Sequence, residues 1–232
     1  MPDFSKLEKI IGVNFKSQDL LKQALTHRSY LNEHPSSGLS HNERLEFLGD
    51  AVLEIIVTEY LYLRFPDTPE GDLTNWRASL VNAKILATVA NKIKLEDFLL
   101  LSKGEAKDNN SKARQYILAN AIEALIGAIY LDRGLKEIKR FIEKNVISEL
   151  DHILANQLYL DPKSKFQERA QEEEGVTPHY KILRESGPDH AKTFEVGLYL
   201  GNHLIAQGQG TSKQEAQVDA AEHGLKVKGW SS

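Results

Sequence analysis

Asn42-Glu43-Arg44-Leu45-Glu46-Phe47-Leu48-Gly49-Asp50-Ala51-Val52-Leu53 is the stretch whose reading decides the fold of this chain. Glu43, Glu46 and Asp50 stand at i, i+3 and i+7, a spacing that lines three carboxylates along one stripe of a helix. Leu45, Phe47, Leu48, Ala51, Val52, Leu53, Ile55, Ile56, Val57, Tyr60 and Leu61 occupy nearly every other direction, the pattern of a buried helix. Anions on one face of such a helix are costly unless cations neutralise them. An exposed acidic stripe, or salt bridges to nearby Arg and Lys, is the ordinary explanation of this spacing. The apolar surround favours a divalent cation instead. Ligands that are all oxygen indicate a hard ion, Mg2+ or Mn2+.

Outward from that helix, length and composition set the bounds. The chain of 232 residues exceeds a typical single domain and fits two, and a 41% hydrophobic content is ample for a core. Its formal net charge of -4 lacks the basic excess that often marks nucleic-acid binding, so any such function must rest on local patches. There is no cysteine, which excludes disulfides, zinc-thiolate sites and cysteine nucleophiles and is compatible with a reducing cytoplasm. The N-terminus, Met1-Pro-Asp-Phe-Ser-Lys-Leu-Glu-Lys, has no apolar run of the signal-peptide kind. The most apolar segment, Ile117–Leu131, carries Asn120 and Glu123 and is too short to span a membrane. A cytoplasmic protein with no membrane partner is the expectation.

Residues 4–15 read as a short amphipathic helix ending near Gly12, and Ser17 as the N-cap of a helix through Leu20, Leu21, Ala24 and Leu25. His27 is assigned no role. Residues 32–41, with Pro35 and Gly38, form a loop before the central helix, which runs from about Asn42 to Arg64 and stops at Phe65-Pro66. Asp72 is expected to cap a helix over 73–90 with Leu73, Trp76, Leu80, Val81, Leu86 and Val89 as core positions. The segment 91–112 reads as a short helix plus an exposed loop. A single helix over roughly 135–155 then closes a first domain, 1–155.

Two carboxylates from one helix cannot hold a catalytic cation alone, and Ile117–Leu131 offers the complement. Asn120 and Glu123 are its only strongly polar side chains, one turn apart on one face. Two buried helices, each with an isolated polar stripe, predict that the stripes face each other. From Pro162 the pattern changes: a helix at about 162–173, strands His179–Leu183, Thr193–Leu200 and His203–Gly208, then a helix from Ser212 to Val227.

His41-Asn-Glu-Arg-Leu-Glu-Phe-Leu-Gly-Asp50 resembles the signature of the ribonuclease III family of double-stranded RNA endonucleases. Thr26-His-Arg-Ser-Tyr30, Glu70-Gly-Asp72 and the 117–132 segment resemble the same family at independent positions. The α-β-β-β-α order over 160–230 resembles its double-stranded RNA-binding domain. Gln167-Glu168, Gly187-Pro-Asp-His190 and Gly210-Thr-Ser-Lys213-Gln-Glu-Ala-Gln217 support that likeness. The fold implied is mainly α, an all-helical nuclease domain followed by a small α+β RNA-binding domain.

The resemblance implies a homodimer that cuts each strand of duplex RNA by Mg2+-assisted hydrolysis, with Mn2+ as a possible substitute. Products carry 5′-phosphate and 3′-hydroxyl ends, and the use is RNA processing such as ribosomal precursor maturation. Glu46, Asp50, Asn120 and Glu123 are the expected metal ligands, with Asp50 and Glu123 the principal catalytic residues. By resemblance Glu70 helps form the catalytic valley, while Glu43 supports RNA contact or dimer packing. No small-molecule cofactor is expected. Gln167, Glu168 and His190 would reach two successive minor grooves and Lys213 the phosphates between them, a span of about 16 base pairs.

Three positions depart from the family pattern. Asn120 stands where aspartate is usual, which removes one negative charge from the metal shell and motivates an alternative: an RNA-binding protein with impaired or no cleavage. Gln214 and Gln217 stand where lysines are usual on the last helix.

Overall fold

The computed structural model describes residues 2–107, 111–159, 161–188 and 192–230, and the chain divides into two compact units, Met1–Ala155 and Asn156–Ser232. The first unit is helical: α1 (Phe4–Ile11), α2 (Gln18–Ala24), α3 (Arg28–Glu33), α4 (Glu43–Arg64), α5 (Glu70–Leu80), α6 (Ala83–Lys92), α7 (Lys103–Lys107), α8 (Ser111–Arg133), α9 (Leu135–Asn145) and α10 (Leu150–Ala155). Local chemistry sets several of its boundaries. Ser17 Oγ accepts the Leu20 amide at the start of α2, and Gly12 ends α1 at φ 72°, where a left-handed residue is needed. Asp132 at the end of α8 accepts the amides of Lys16 and Ser17 at 2.7 and 2.8 Å, which anchors the loop before α2.

The unit is built around the pair α4 and α8. At their crossing the backbones meet: a Cβ on Gly49 would lie 1.7 Å from the Glu123 carbonyl oxygen, and one on Gly127 would lie 2.3 Å from that of Leu45. No other residue type fits either position without moving a helix. Beyond Leu118, α8 is buried nearly all round through Ala121, Ile122, Leu125, Ile126 and Ile129.

Four expectations need correction. The helix α4 is not buried on every side: Leu45, Val52, Leu53, Ile56, Val57 and Leu61 enter the core, while Phe47 is 82% and Ile55 65% exposed. Phe47, Ala51 and Ile55, at i, i+4 and i+8, form a second apolar face that no described element of the first unit covers. The helix expected over 73–90 is two helices, because Asn82 takes an extended conformation and caps the Ile85 amide at 2.9 Å. Asp72 lies inside the first turn of α5, with Pro69 at the cap position. The closing helix breaks after Asn145 into a 3-10 turn, Ile147–Glu149, before α10.

The second unit comprises α11 (Pro162–Glu174), β1 (Pro178–Ser186), β2 (Thr193–Leu200), β3 (His203–Gly210) and α12 (Lys213–Lys228). The strands form one antiparallel sheet in the order β1-β2-β3, with irregularities at Ile182/Arg184 and Leu198/Tyr199. Phe166 and Ala170 of α11, Leu198 and Leu200 of β2, and Ala220, Ala221 and Leu225 of α12 make its core. Gly208 permits close contact with α12, since a Cβ there would lie 2.1 Å from the Ala220 amide nitrogen. The observed α-β-β-β-α order and the mainly helical first unit are those expected from the sequence. Among the described residues no helix is long and apolar enough to cross a membrane.

Candidate active site

The Gly49–Gly127 crossing sets the two polar stripes against each other. Glu46 and Asp50 lie one turn apart on α4, and Asn120 and Glu123 one turn apart on α8, with Gly49 touching the Glu123 backbone. The Asn120 side chain hydrogen-bonds Glu46, so its amide donates to the carboxylate. Glu46 and Glu123 are half-buried, while Asp50 is exposed at the edge of the cluster. Burial raises the pKa of Glu46, with the charges of Glu43 and Asp50 adding to the effect and the Asn120 hydrogen bond opposing it. Glu123 is displaced further, from 4.5 to about 7, by burial first and then by the charges of Asp50 and Glu46.

No Lys or Arg among the described residues pairs with Glu46, Asp50 or Glu123, in contrast to their neighbour Glu43. Glu43 is held by Arg28 at 3.2 Å and lies 3.6 Å from His41. Among the described residues no three His, Asp or Glu side chains are already gathered into a set that could hold a metal ion. The donor set suits a hard divalent ion, because it consists of carboxylate and amide oxygens in an anionic crowd that no cationic side chain among the described residues neutralises.

The remaining expected residues belong to other stretches of the chain. Glu70 opens α5, accepts the Thr74 hydroxyl at 3.0 Å and is not among the charges that act on Glu46 or Glu123. On the second unit, Gln167 and Glu168 are exposed on α11. Lys213 opens α12 behind the Ser212 cap, with its ammonium 3.6 Å from Glu185 and 5.8 Å from the Phe194 ring centre. His190 lies outside the described residues. His27, given no role from sequence, caps α3 through Nδ1.

Sequence reasoning missed the glycine pair that brings the stripes together and the outward face of α4. The i, i+4, i+8 spacing of Phe47, Ala51 and Ile55 carried a signal for the second, but a helix apolar all round does not say which side is covered by its own chain.

The raised acid has a stability consequence of definite sign. A carboxyl at about 7 in the folded chain and 4.5 when unfolded binds more protons in the fold between those values. In chelator, the first unit should therefore lose stability as pH rises from about 4.5 to about 7. The loss should be about 2 kcal/mol after allowance for partial exposure. Thermal melts across that range check it; Glu123→Gln should flatten the dependence, and an equal slope in both proteins would contradict the assignment.

Residues 17–150 match the family model described as Ribonuclease-III-like, and residues 162–228 match the double-stranded RNA binding motif. The chain is 46% identical over 221 residues to Ribonuclease 3 of Carboxydothermus hydrogenoformans, spanning 95% of this chain and 94% of that protein. It is 43% identical to Ribonuclease 3 of Enterococcus faecalis, spanning 96% of each. Among solved structures it is similar to the nuclease domain of ribonuclease III from Campylobacter jejuni, with TM-score 0.56 and 41% identity over 64% of this chain and 97% of that one. A second structure of that domain, described for flexibility in the region involved in its dimer formation, gives TM-score 0.54 and 44% identity over 62% of this chain and 98% of that one.

Proposed function

Because this chain belongs to the ribonuclease III family and is a double-stranded RNA endonuclease, we propose that it works as an Mg2+-dependent homodimer leaving 5′-phosphate and 3′-hydroxyl ends. Its role on this reading is RNA processing such as ribosomal precursor maturation. Glu46, Asp50, Asn120 and Glu123 are assigned as the catalytic centre. The observation that carries the assignment is the uncompensated acidic crowd at the α4–α8 crossing, where Glu123 is lifted to about 7 by burial, Asp50 and Glu46.

These four side chains would hold Mg2+ through oxygen, with Mn2+ as a substitute. When bound, the cation supplies the positive charge that favours water as a nucleophile and stabilises the departing 3′-oxygen. The chain's own groups do the rest. Asp50 and Glu123 are the carboxylates placed to accept a proton and orient water for in-line attack on phosphorus. Asn120 fixes Glu46 by its hydrogen bond and offers a neutral oxygen where a charged one would bind more strongly.

The dimer is supported by the outward face of α4, since an 82% exposed Phe47 beside a 65% exposed Ile55 leaves apolar surface that a second copy would cover. The related C. jejuni domain has a region involved in dimer formation. Glu70 is assigned to the valley of that dimer, and Glu43, tied to Arg28, to the support of its rim. The second unit is assigned to shape-based contact with duplex RNA through Gln167, Glu168, His190 and Lys213.

Long duplex RNA incubated with Mg2+ should be cut to fragments that carry a 5′-phosphate and a 3′-hydroxyl, and chelator should stop the reaction. End-specific enzymatic labelling of the fragments reads both ends. Asn120 favours a second reading, duplex RNA binding without turnover. Intact RNA under every divalent ion, with binding retained, would establish that second reading.

A further inference from the structure

Lys163 occupies the first turn of α11, where it is half-buried. Its ammonium donates to Oε1 of Gln217 on α12 at 2.7 Å and lies 5.3 Å from the centre of the Tyr180 ring. Neither partner carries a negative charge. Among the described residues no carboxylate pairs with Lys163, whereas Lys213 pairs with Glu185 and Lys228 with Glu174. An ammonium has three donors, and an amide oxygen engages one of them without neutralising the charge.

Position gives that charge its meaning. Gln167, assigned above to RNA contact, lies one turn along α11 on the same face as Lys163. Gln217 lies one turn along α12 from Lys213, the cation assigned to phosphate. The Lys163–Gln217 hydrogen bond therefore joins the proposed RNA-facing stripes of the two helices. The unit is short of cations there: from Asn156 onward nine Lys and Arg stand against eleven Asp and Glu, and neither Gln214 nor Gln217 carries charge. In a unit with no general attraction for a polyanion, a positioned cation that no described carboxylate pairs with has a large share of the phosphate contact.

We infer that Lys163, held in place by Gln217, is a phosphate-contacting residue for duplex RNA, bringing from the first helix of this unit a charge that Gln217 does not carry on the second. The inference rests on the reading of the second unit as RNA-binding. The ordered contact matters because a lysine already held by an amide and an aromatic face loses less side-chain freedom when it meets phosphate.

The test is binding of the full chain to duplex RNA in chelator, which prevents cutting, at several salt concentrations. Lys163→Met keeps the stem against Tyr180 and removes the charge. It should weaken binding several-fold for duplexes of any sequence and lower the slope of log affinity against log salt by on the order of 0.9 per engaged unit. Lys163→Arg should keep the slope, and Gln217→Lys added to Lys163→Met should restore it with no change in the unit's melting temperature. A purely structural lysine would shift the melting temperature and leave the slope alone; an unchanged slope in Lys163→Met overturns the inference while the RNA-binding reading stands. Loss of binding in Lys213→Met alongside an unaffected Lys163→Met overturns it equally. If the unaltered chain shows no salt-dependent duplex binding, the RNA-binding reading fails and takes this inference with it.

Discussion

Glu123→Gln should lower Mg2+-dependent cleavage of duplex RNA on the order of a hundredfold or more, while binding of the same duplex in chelator stays within about twofold. Even groups one shell removed from a metal change affinity or activity by about tenfold to a hundredfold, so loss of a proposed direct ligand should do at least as much. The glutamine keeps the size of the side chain and removes the charge. In the metal-free protein that loss relieves repulsion, because Glu123 is held at about 7 by burial and by Asp50 and Glu46. The variant should therefore melt higher than the unaltered chain in chelator at pH 8, and should gain less from added Mg2+. Lower activity together with lower metal-free stability would instead describe a damaged fold. Single-turnover cleavage, duplex binding and paired melts separate these outcomes.

Asn120→Asp tests the same shell in the opposite direction. Asn120 now donates to Glu46 and so stabilises its carboxylate; aspartate in its place exchanges that donor for a fourth anion. Without metal, repulsion from Glu46, Asp50 and Glu123 should lower the melting temperature. With metal, the added charge should tighten the site and reduce the Mg2+ concentration for half-maximal cleavage by about tenfold. The two effects have opposite signs in one substitution. A structural hydrogen bond between Asn120 and Glu46 predicts only the loss of stability, so an unchanged Mg2+ requirement would remove Asn120 from the shell.

The neutral side chain of Asn120 also bears on how the two functions of the chain are divided. A neutral ligand weakens the hold on a cation but leaves the RNA-facing surfaces untouched, so cleavage and binding can vary independently. On the proposed reading, the second unit's own charge deficit should make it a modest binder alone, which would place weight on individual cations such as Lys163.

By itself the sequence determined what depends on neighbours a few residues away. The i, i+3, i+7 placement of Glu43, Glu46 and Asp50, the isolated pair Asn120 and Glu123, the Ser17 cap and the strand pattern after Pro178 are short-range features. Helical and strand periodicity expresses them whatever the rest of the chain does. Tertiary structure decided what depends on distant backbone. That Asn120 reaches Glu46, and that Glu123 is driven up by burial and by the charges of Asp50 and Glu46, follows from Gly49 and Gly127 letting two helices touch more than seventy residues apart in the chain. Which face of α4 is covered was equally out of reach, since Phe47 and Leu53 are alike in apolar character and differ only in what packs on them. The break at Asn82 turned on a local cap outweighed in the sequence by a continuous apolar pattern. Lys163 and Gln217 met only because α11 and α12 lie side by side across fifty-four positions of chain, a contact that no periodicity encodes.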